Sequence, residues 1–333
     1  MWRAWKINFM AAASVTIHAS QFPENVRRDL LASLATRRVN HKFHYDSVRQ
    51  TQKWLALHQA HSPSRNDADC AGTYDRAFAE AVNQITARQI HVIGLGCGGG
   101  QKDARLLKLL SAAGKEVSYT PSDVSAAMTL VARTAALAVV PEKNIFPFIC
   151  DLATADDLSA ALATRHPSLV TFFGMIPNFE PEEILPKLAA LVRPQDFLLF
   201  SANLAPGADY AAGMEKIFPQ YDNALTRDWL MTFLLNLGVE PSDGELRFTI
   251  ETGAANLRRV MARFHFTRDR RLTVETEEFS FRSGDSLQLF FSYRYTPELV
   301  RQNLARHGLA VRAEWVTLSA EEAVFLCQRR GAA

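Results

Sequence analysis

The sequence has few cysteines, and they lie far apart. Cys70, Cys97, Cys150 and Cys327 form no CxxC pair, a spacing that favours neither a disulfide framework nor a zinc site. We therefore expect no metal. Cys97 lies inside a run of glycines and has two interpretations, a nucleophile or a small residue filling a tight turn, of which we favour the second.

An excess of charge of one sign is also lacking, because 37 basic residues face 35 acidic ones. This balance gives no field that would attract nucleic acid or an anionic membrane. No stretch approaches the ~20 apolar residues that a membrane span needs. Arg3 and Lys6 precede a short, polar-interrupted apolar stretch at residues 7–15, a weak match to a secretory signal, so we expect a cytoplasmic protein.

What the sequence does contain is an alternation of apolar strands and helices between residues 74 and 202. The predicted strands cover residues 90–95, 117–120, 144–149, 169–173 and 197–202, with helical patterns between them. Near-continuous apolar strands that alternate with helices are typical of a parallel sheet covered on both faces. The sequence therefore predicts an α/β fold with a Rossmann-like core.

The alternation stops after residue 205 and returns near the end of the chain. Residues 246–251, 258–266 and 272–281 read as antiparallel strands, whereas residues 297–328 restore a helix and two strands. We predict a core formed by residues 62–207 plus 296–333. A second, α+β lobe, formed by residues 10–61 plus 208–295, would bind the substrate.

Four features fall at the carboxyl ends of the predicted strands, where sheets of this kind bind ligands. They are five glycines between positions 94 and 100, Asp123, Asp151, and residues 174–179. The glycines allow a close approach to a ligand, and the helix behind them favours an anionic group. Asp123 could accept both hydroxyls of a ribose, Asp151 could accept an adenine amino group, and a substrate would meet the cofactor at residues 174–179.

The glycines alone leave the cofactor open. Gly94, Gly96 and Gly99 satisfy the GxGxxG dinucleotide pattern, so NAD is one alternative. The dense glycine turn, Lys102 near the start of the following helix, and acids on successive strand ends favour S-adenosylmethionine (SAM) instead. The third interpretation is that these residues are only turn glycines and strand-end caps.

A series of short motifs, in order, points to one family. They are Phe43-His-Tyr45-Asp46, His61-Ser-Pro63-Ser-Arg65, Leu95-Gly96-Cys-Gly98 with Lys102, Pro121-Ser-Asp123-Val-Ser125, Phe173-Gly174 through Asn178-Phe179, Tyr221-Asp222, Met261, and Ser292-Tyr-Arg-Tyr295. Over residues 41–327 the sequence resembles the histidine Nα-methyltransferases of ergothioneine biosynthesis and their relatives that methylate other amino-acid amines. It looks like a divergent member.

The resemblance implies a SAM-methyltransferase core that releases S-adenosylhomocysteine (SAH). It implies SAM contacts from Gly96, Lys102, Asp123 and Asp151, and we predict that their neighbours Gly98, Gly100, Leu152 and Gly174 contribute. It also implies an amino-acid pocket made by Tyr45, His61, Asn178, Tyr221, Met261 and Ser292.

The departures from the family pattern concern the acceptor. Where the histidine-methylating members have a glutamate for the imidazole, this chain has Phe290, which we add to the predicted substrate pocket. Losing a buried hydrogen-bond acceptor costs about 1–3 kcal/mol. His61 replaces a tyrosine, and Asn203 an aspartate. We therefore expect a small amine acceptor with an apolar or aromatic side chain rather than histidine.

The predicted catalytic residues are Asn178, Tyr45 and His61. Asn178 would orient the amine, Tyr45 would anchor a carboxylate together with Tyr221, and His61 would take up the amine proton. Tyr45, Phe290 and Phe291 could stabilise the cationic product. Two other functions remain open: a SAM-using enzyme of another outcome, such as cyclisation or aminocarboxypropyl transfer, and a non-catalytic SAM-binding protein.

Overall fold

The computed structural model describes residues 13–61, 66–253 and 256–330. Its strands, numbered along the chain, are β1 (Thr16–Ile17), β2 (Gln89–Leu95), β3 (Glu116–Asp123), β4 (Phe148–Ile149), β5 (Ser168–Phe172), β6 (Phe197–Asn203), β7 (Gly244–Thr252), β8 (Arg258–Phe266), β9 (Arg270–Val274), β10 (Glu277–Phe281), β11 (Ser286–Arg294), β12 (Leu309–Val316) and β13 (Glu322–Arg329).

The α-helices are also numbered along the chain. They are α1 (Pro23–Thr36), α2 (Val48–His61), α3 (Ala68–Gln84), α4 (Gln101–Ala112), α5 (Ala126–Ala136), α6 (Leu158–Ala161), α7 (Pro181–Leu191), α8 (Tyr210–Ile217), α9 (Ala224–Asn236) and α10 (Pro297–Arg306). No helix within the described ranges is long and apolar enough to cross a membrane.

The central sheet has eight strands in the order β1, β4, β3, β2, β5, β6, β13, β12. The first six pair in parallel, and β13 and β12 are added antiparallel. The chain runs outward from β2 to β4 and then returns to β5 on the other side of β2. The strand order therefore switches between β2 and β5, the point at which ligands bind in open α/β sheets.

The burial of the strands explains why the sheet forms. Every residue of β5 and all but the first of β2 are buried, as expected when helices cover both faces. Two hydrophobic clusters lie on the two sides of the sheet, one including Phe172 and Phe200, the other Tyr119 and Leu199. The predicted α/β architecture is confirmed.

The second lobe contains the antiparallel sheet β11, β8, β7 and the hairpin of β9 and β10. Over most of β7, exposed residues alternate with buried or half-buried ones, which is typical of a sheet with one solvated face. Aromatic residues and leucines form most of the core of this lobe, which includes Phe264, Phe266, Trp229, and Phe290 of β11. Helix α9 packs against α2.

Several elements differ from their predicted bounds. Residues 16–17, assigned to the substrate lobe, pair with β4 at the edge of the core sheet. The helical pattern between the third and fourth predicted strands is only the single turn α6, and Ala153 and Thr154, which precede it, donate to Asp151. Arg268 and Arg270 pair with buried Asp243. Residues 10–12, 62–65, 254–255 and 331–333 of the predicted units lie outside the described residues.

Candidate active site

A cavity of about 280 Å³ opens at the carboxyl edge of the sheet, where the strand order switches. The core contributes residues that follow β2, β3, β4 and β5, and the lobe covers them with a short 3₁₀ helix, α2 and β11. The cavity lining includes Gly96, Gly98, Asp123, Asp151, Leu152, Met175 and Asn178 from the core, and His41, Lys42, Tyr45, Trp54 and Phe291 from the lobe.

The glycine loop between β2 and α4 approaches other groups too closely for a side chain. Gly96 has φ +60°, and a Cβ built on it would lie 2.5 Å from the Met175 sulfur. Gly100 has φ +71°, and its Cβ would lie 2.7 Å from Ala132 Cα. Because Gly100 is the N-cap of α4 without a side-chain cap, the amino end of this helix suits an anionic group.

Asp123 ends β3 and holds the glycine loop. Its two carboxylate oxygens accept hydrogen bonds from Gly98 N at 3.0 Å and Ser125 N at 2.9 Å. Burial raises the pKa of Asp123, and the backbone hydrogen bonds oppose that rise. A carboxylate fixed in this way at the cavity wall can accept the hydroxyls of a sugar.

Asp151, which follows β4, is joined to the lobe by a buried lysine. Lys42 Nζ lies 3.4 Å from Asp151 Oδ2 and donates to Asp29 Oδ2 at 2.5 Å. Both carboxylates and the ammonium are at most about a tenth exposed. Removing one member would leave an uncompensated buried charge, so this triad fixes the 3₁₀ helix His41–His44 over the cavity.

Asn178 lies in the short 3₁₀ helix Ile176–Asn178 that follows β5. Its Nδ2 donates to the Phe291 carbonyl oxygen at 2.8 Å, so β11 of the lobe fixes the orientation of a core side chain. With the amide nitrogen engaged, Oδ1 is the atom that can accept a hydrogen bond from a ligand.

Tyr45 and Trp54 form an aromatic cover over the glycine loop. The Trp54 ring lies 3.4 Å from the position of a Cβ on Gly98, and it meets Tyr45 edge to face at 6.0 Å. Tyr45 hydroxyl lies 3.2 Å from His41 Nε2. Burial lowers the pKa of His41 to about 3 and raises the pKa of Tyr45, so both groups are neutral near pH 7.

Four predicted substrate residues lie behind this cover and do not line the cavity. Tyr221 hydroxyl lies 2.8 Å from Ser292 Oγ and accepts from Arg294 Nε at 2.9 Å. Phe290 packs with the His41 ring at 5.3 Å and the Trp229 ring at 5.8 Å. Met261 is fully buried on β8.

Four other predicted residues also lie outside the cavity lining. His61 is exposed at the end of α2. Gly100 is the N-cap of α4, and Gly174 N donates to Ser201 Oγ at 2.8 Å. Lys102 Nζ donates to Tyr74 hydroxyl at 2.7 Å.

Sequence reasoning missed Lys42, His41 and Trp54, and it gave no role to Met175 within the predicted segment 174–179. Because Met175 directly follows Gly174, its side chain could have been inferred to face the glycine loop. The other three carry no periodic signal, because each belongs to a short turn or to a helix with a weak apolar face.

These features fit an adenosine compound with an anionic tail. Gly96 and Gly98 have no side chains, so a ligand can approach the backbone of the loop. The Asp123 carboxylate suits the hydroxyls of a ribose, and the amino end of α4, which has no side-chain cap, suits the anionic tail of the ligand. The fold and the site together define a Rossmann-like methyltransferase that uses SAM.

The sequence profile of the family described as "Histidine-specific methyltransferase, SAM-dependent" matches residues 26–329. The chain therefore belongs to this family, and the predicted membership is confirmed. SAM is its cofactor, and the NAD alternative is set aside. No curated protein matches the sequence.

Solved structures of methyltransferases resemble this chain distantly. The CcbJ methyltransferase from Streptomyces caelestis is 13% identical with a TM-score of 0.39, over 79% of this chain and 98% of that chain. The magnesium protoporphyrin IX methyltransferase from Synechocystis PCC 6803, with bound SAH, is 14% identical with a TM-score of 0.43, over 92% and 100%. The 1,6-didemethyltoxoflavin-N1-methyltransferase from Burkholderia thailandensis is 10% identical with a TM-score of 0.42, over 85% and 89%.

Proposed function

We propose that this protein transfers a methyl group from SAM to the nitrogen of a small amino acid or a related amine other than histidine. The observation that carries the proposal is the setting of Asn178. It lies beside the glycine loop with Nδ2 held by Phe291 O at 2.8 Å, so Oδ1 is left to accept a hydrogen bond from an amine N–H.

SAM supplies a methyl group on a good leaving group, and transfer requires mainly that a neutral amine be aligned and water excluded. Asn178 orients the amine, and Tyr45 with Trp54 shields the site from solvent. The rings of Tyr45 and Phe291 stabilise the positive charge that develops on nitrogen. His41 does not hold the amine proton, because its pKa of about 3 is far below that of an ammonium.

Phe290 supports an acceptor other than histidine. Its ring packs between those of His41, Trp229 and Tyr221, with centre distances of 5.3, 5.8 and 6.4 Å. Phe290 does not itself line the cavity, but it places a phenyl ring behind His41 where the histidine-methylating relatives are expected to have a carboxylate. An imidazole N–H on this side of the cavity would lose its hydrogen bond to water and gain no carboxylate acceptor. An apolar or aromatic acceptor side chain suits this surface better.

The experiment is an SAH-release assay with SAM and a panel of amines. The panel contains amino acids with apolar, aromatic and imidazole side chains, together with the corresponding decarboxylated amines, and mass spectrometry locates the added methyl group. We expect N-methylation of an apolar or aromatic amine at a higher kcat/KM than that of histidine.

Three results would contradict the proposal. Histidine as the best acceptor would refute the role of Phe290, and release of methylthioadenosine would indicate transfer of the aminocarboxypropyl arm. SAH binding without turnover on any amine would indicate a non-catalytic protein. As a specificity control, Phe290→Glu should raise the activity on histidine relative to that on the apolar acceptor.

A further inference from the structure

A buried polar cluster behind the glycine loop surrounds Lys102, the second residue of α4. Its Nζ donates to Tyr74 hydroxyl at 2.7 Å and lies 4.0 Å from the centre of the same ring. The nearest carboxylate oxygen, Glu322 Oε1, is 3.7 Å away. Within the described parts of the chain, only the Tyr74 hydroxyl is within hydrogen-bond distance of this ammonium, which therefore keeps N–H donors for a ligand.

Tyr74 is fully buried, and Glu322 is 7% exposed. The Tyr74 hydroxyl donates its one proton to Glu322 Oε1, because an ionised carboxylate can only accept. The oxygen lone pairs of Tyr74 then face Lys102. Burial and the Glu322 charge raise the pKa of Tyr74, so this hydroxyl stays protonated.

The cluster is also connected by hydrogen bonds to the residues that follow β5. Ser201 Oγ lies 2.8 Å from Tyr74 hydroxyl and accepts from Gly174 N at 2.8 Å. The Lys102 ammonium lies 5.8 Å from the Phe173 ring. Lys102, at the start of α4, thus contacts residues at the end of β5, the strand that pairs with β2, which leads into the glycine loop.

We propose that Tyr74, oriented by Glu322, is a positioning residue that fixes the Lys102 ammonium for the carboxylate at the methionine end of SAM. Glu322 offsets the lysine charge from beyond hydrogen-bond distance, so it does not use the donors that the ligand needs. The inference depends on SAM as the cofactor and not on the identity of the acceptor amine.

The test compares two ligands that differ at the methionine end. SAH carries the amino and carboxylate groups, whereas 5′-methylthioadenosine lacks them. Isothermal titration should show that Tyr74→Phe raises the Kd of SAH by about three- to tenfold, the effect of one lost hydrogen bond. The Kd of methylthioadenosine should not change, and this unchanged binding also shows that the variant is folded.

Two comparisons sharpen the test. Lys102→Met should raise the Kd of SAH at least as much, and adding Tyr74→Phe to it should have no further effect, because the two residues act as one unit. Cys70→Ala is the matched control: Cys70 Sγ contacts Glu322 Oε2 at 3.4 Å but not Lys102, so neither Kd should change.

Equal changes in both Kd values for Tyr74→Phe would overturn the proposal, and so would no change in either. If Tyr74→Phe fails to fold, Glu322→Gln is the test variant. The amide N–H of the new glutamine competes with Lys102 for the Tyr74 oxygen, so the Kd of SAH should rise while the Kd of methylthioadenosine stays unchanged. A protein that binds SAH with this pattern but methylates no amine would refute the proposed function and leave this inference standing.

Discussion

The two sides of the cavity are built in different ways. On the cofactor side, Gly96, Asp123 and Asp151 each follow a parallel strand, and the strand order brings them to one edge. On the acceptor side, residues of an antiparallel lobe pack in two layers, and only the first layer, with His41 and Tyr45, reaches the cavity. Chain topology determines the first side, and side-chain packing determines the second.

The largest expected effect separates the two sides. Asn178→Ala removes the group that we propose orients the amine, and misplacement of a reacting group costs about 100-fold in rate. We expect kcat to fall by about that factor, while the Kd of SAH stays within twofold. A comparable loss of SAH binding, measured by titration, would show that Asn178 serves the cofactor side.

A smaller effect is expected within the glycine loop. Gly96→Ala adds a Cβ 2.5 Å from the Met175 sulfur at a left-handed backbone position, which costs roughly 1–2 kcal/mol in backbone energy alone. We expect the Kd of SAH to rise about tenfold. The matched control is Gly114→Ala, which has φ +76° and no atom within 4 Å of the added Cβ.

Gly114→Ala should lower the free energy of unfolding by a similar backbone cost and leave the Kd of SAH unchanged. Equal effects of the two glycine variants on SAH would show that the contact with Met175 does not matter.

The difference between the two sides also explains what could be predicted from the sequence. The apolar run of β2 and the glycines after it are local signals, and they predict a strand end with a ligand loop. Asp123 is predictable for the same reason, because parallel strands align their carboxyl ends.

The acceptor side has no comparable local signal. Phe290 and Ser292 lie on one face of β11, but whether that face reaches the cavity depends on the 3₁₀ helix His41–His44 in front of it. That helix is fixed by Lys42, whose partners Asp29 and Asp151 are far away in the sequence. His61, predicted to take up the amine proton, is exposed at the end of α2.

The histidines under the acceptor side should make stability depend on pH. Burial lowers the pKa of His44 to about 4, and His44 Nε2 donates to Leu289 O at 2.6 Å. Below pH 6.5, His44 becomes protonated in the unfolded chain but stays neutral in the folded protein. The free energy of unfolding therefore falls as pH falls from 6.5 toward 4. At about 1.4 kcal/mol per pH unit, His44 contributes roughly 3 kcal/mol.

Urea unfolding at pH 7.5 and pH 5 measures this effect. His44→Gln keeps an N–H donor for Leu289 O but cannot titrate, so it should reduce the loss of stability at pH 5. An unchanged loss in the variant would assign the pH dependence to other groups, of which His41 is the first to examine because its pKa is lowered to about 3.

The smallest expected effect concerns His61. Its side chain is exposed and does not line the cavity, so His61→Ala should change kcat and KM by less than about twofold. A large fall in kcat with a shifted pH profile would restore His61 as the group that takes up the amine proton.

The central claim is that Asp123 binds the sugar of the cofactor at the switch in strand order. Titration of SAH into Asp123→Ala tests it most directly, with exposed Asp156→Ala as the control. We expect the Kd to rise about 100-fold in Asp123→Ala, since hydrogen bonds to a charged group contribute about 1.5–3 kcal/mol each, and to stay unchanged in the control. SAH binding by Asp123→Ala with the affinity of the wild type would contradict the account.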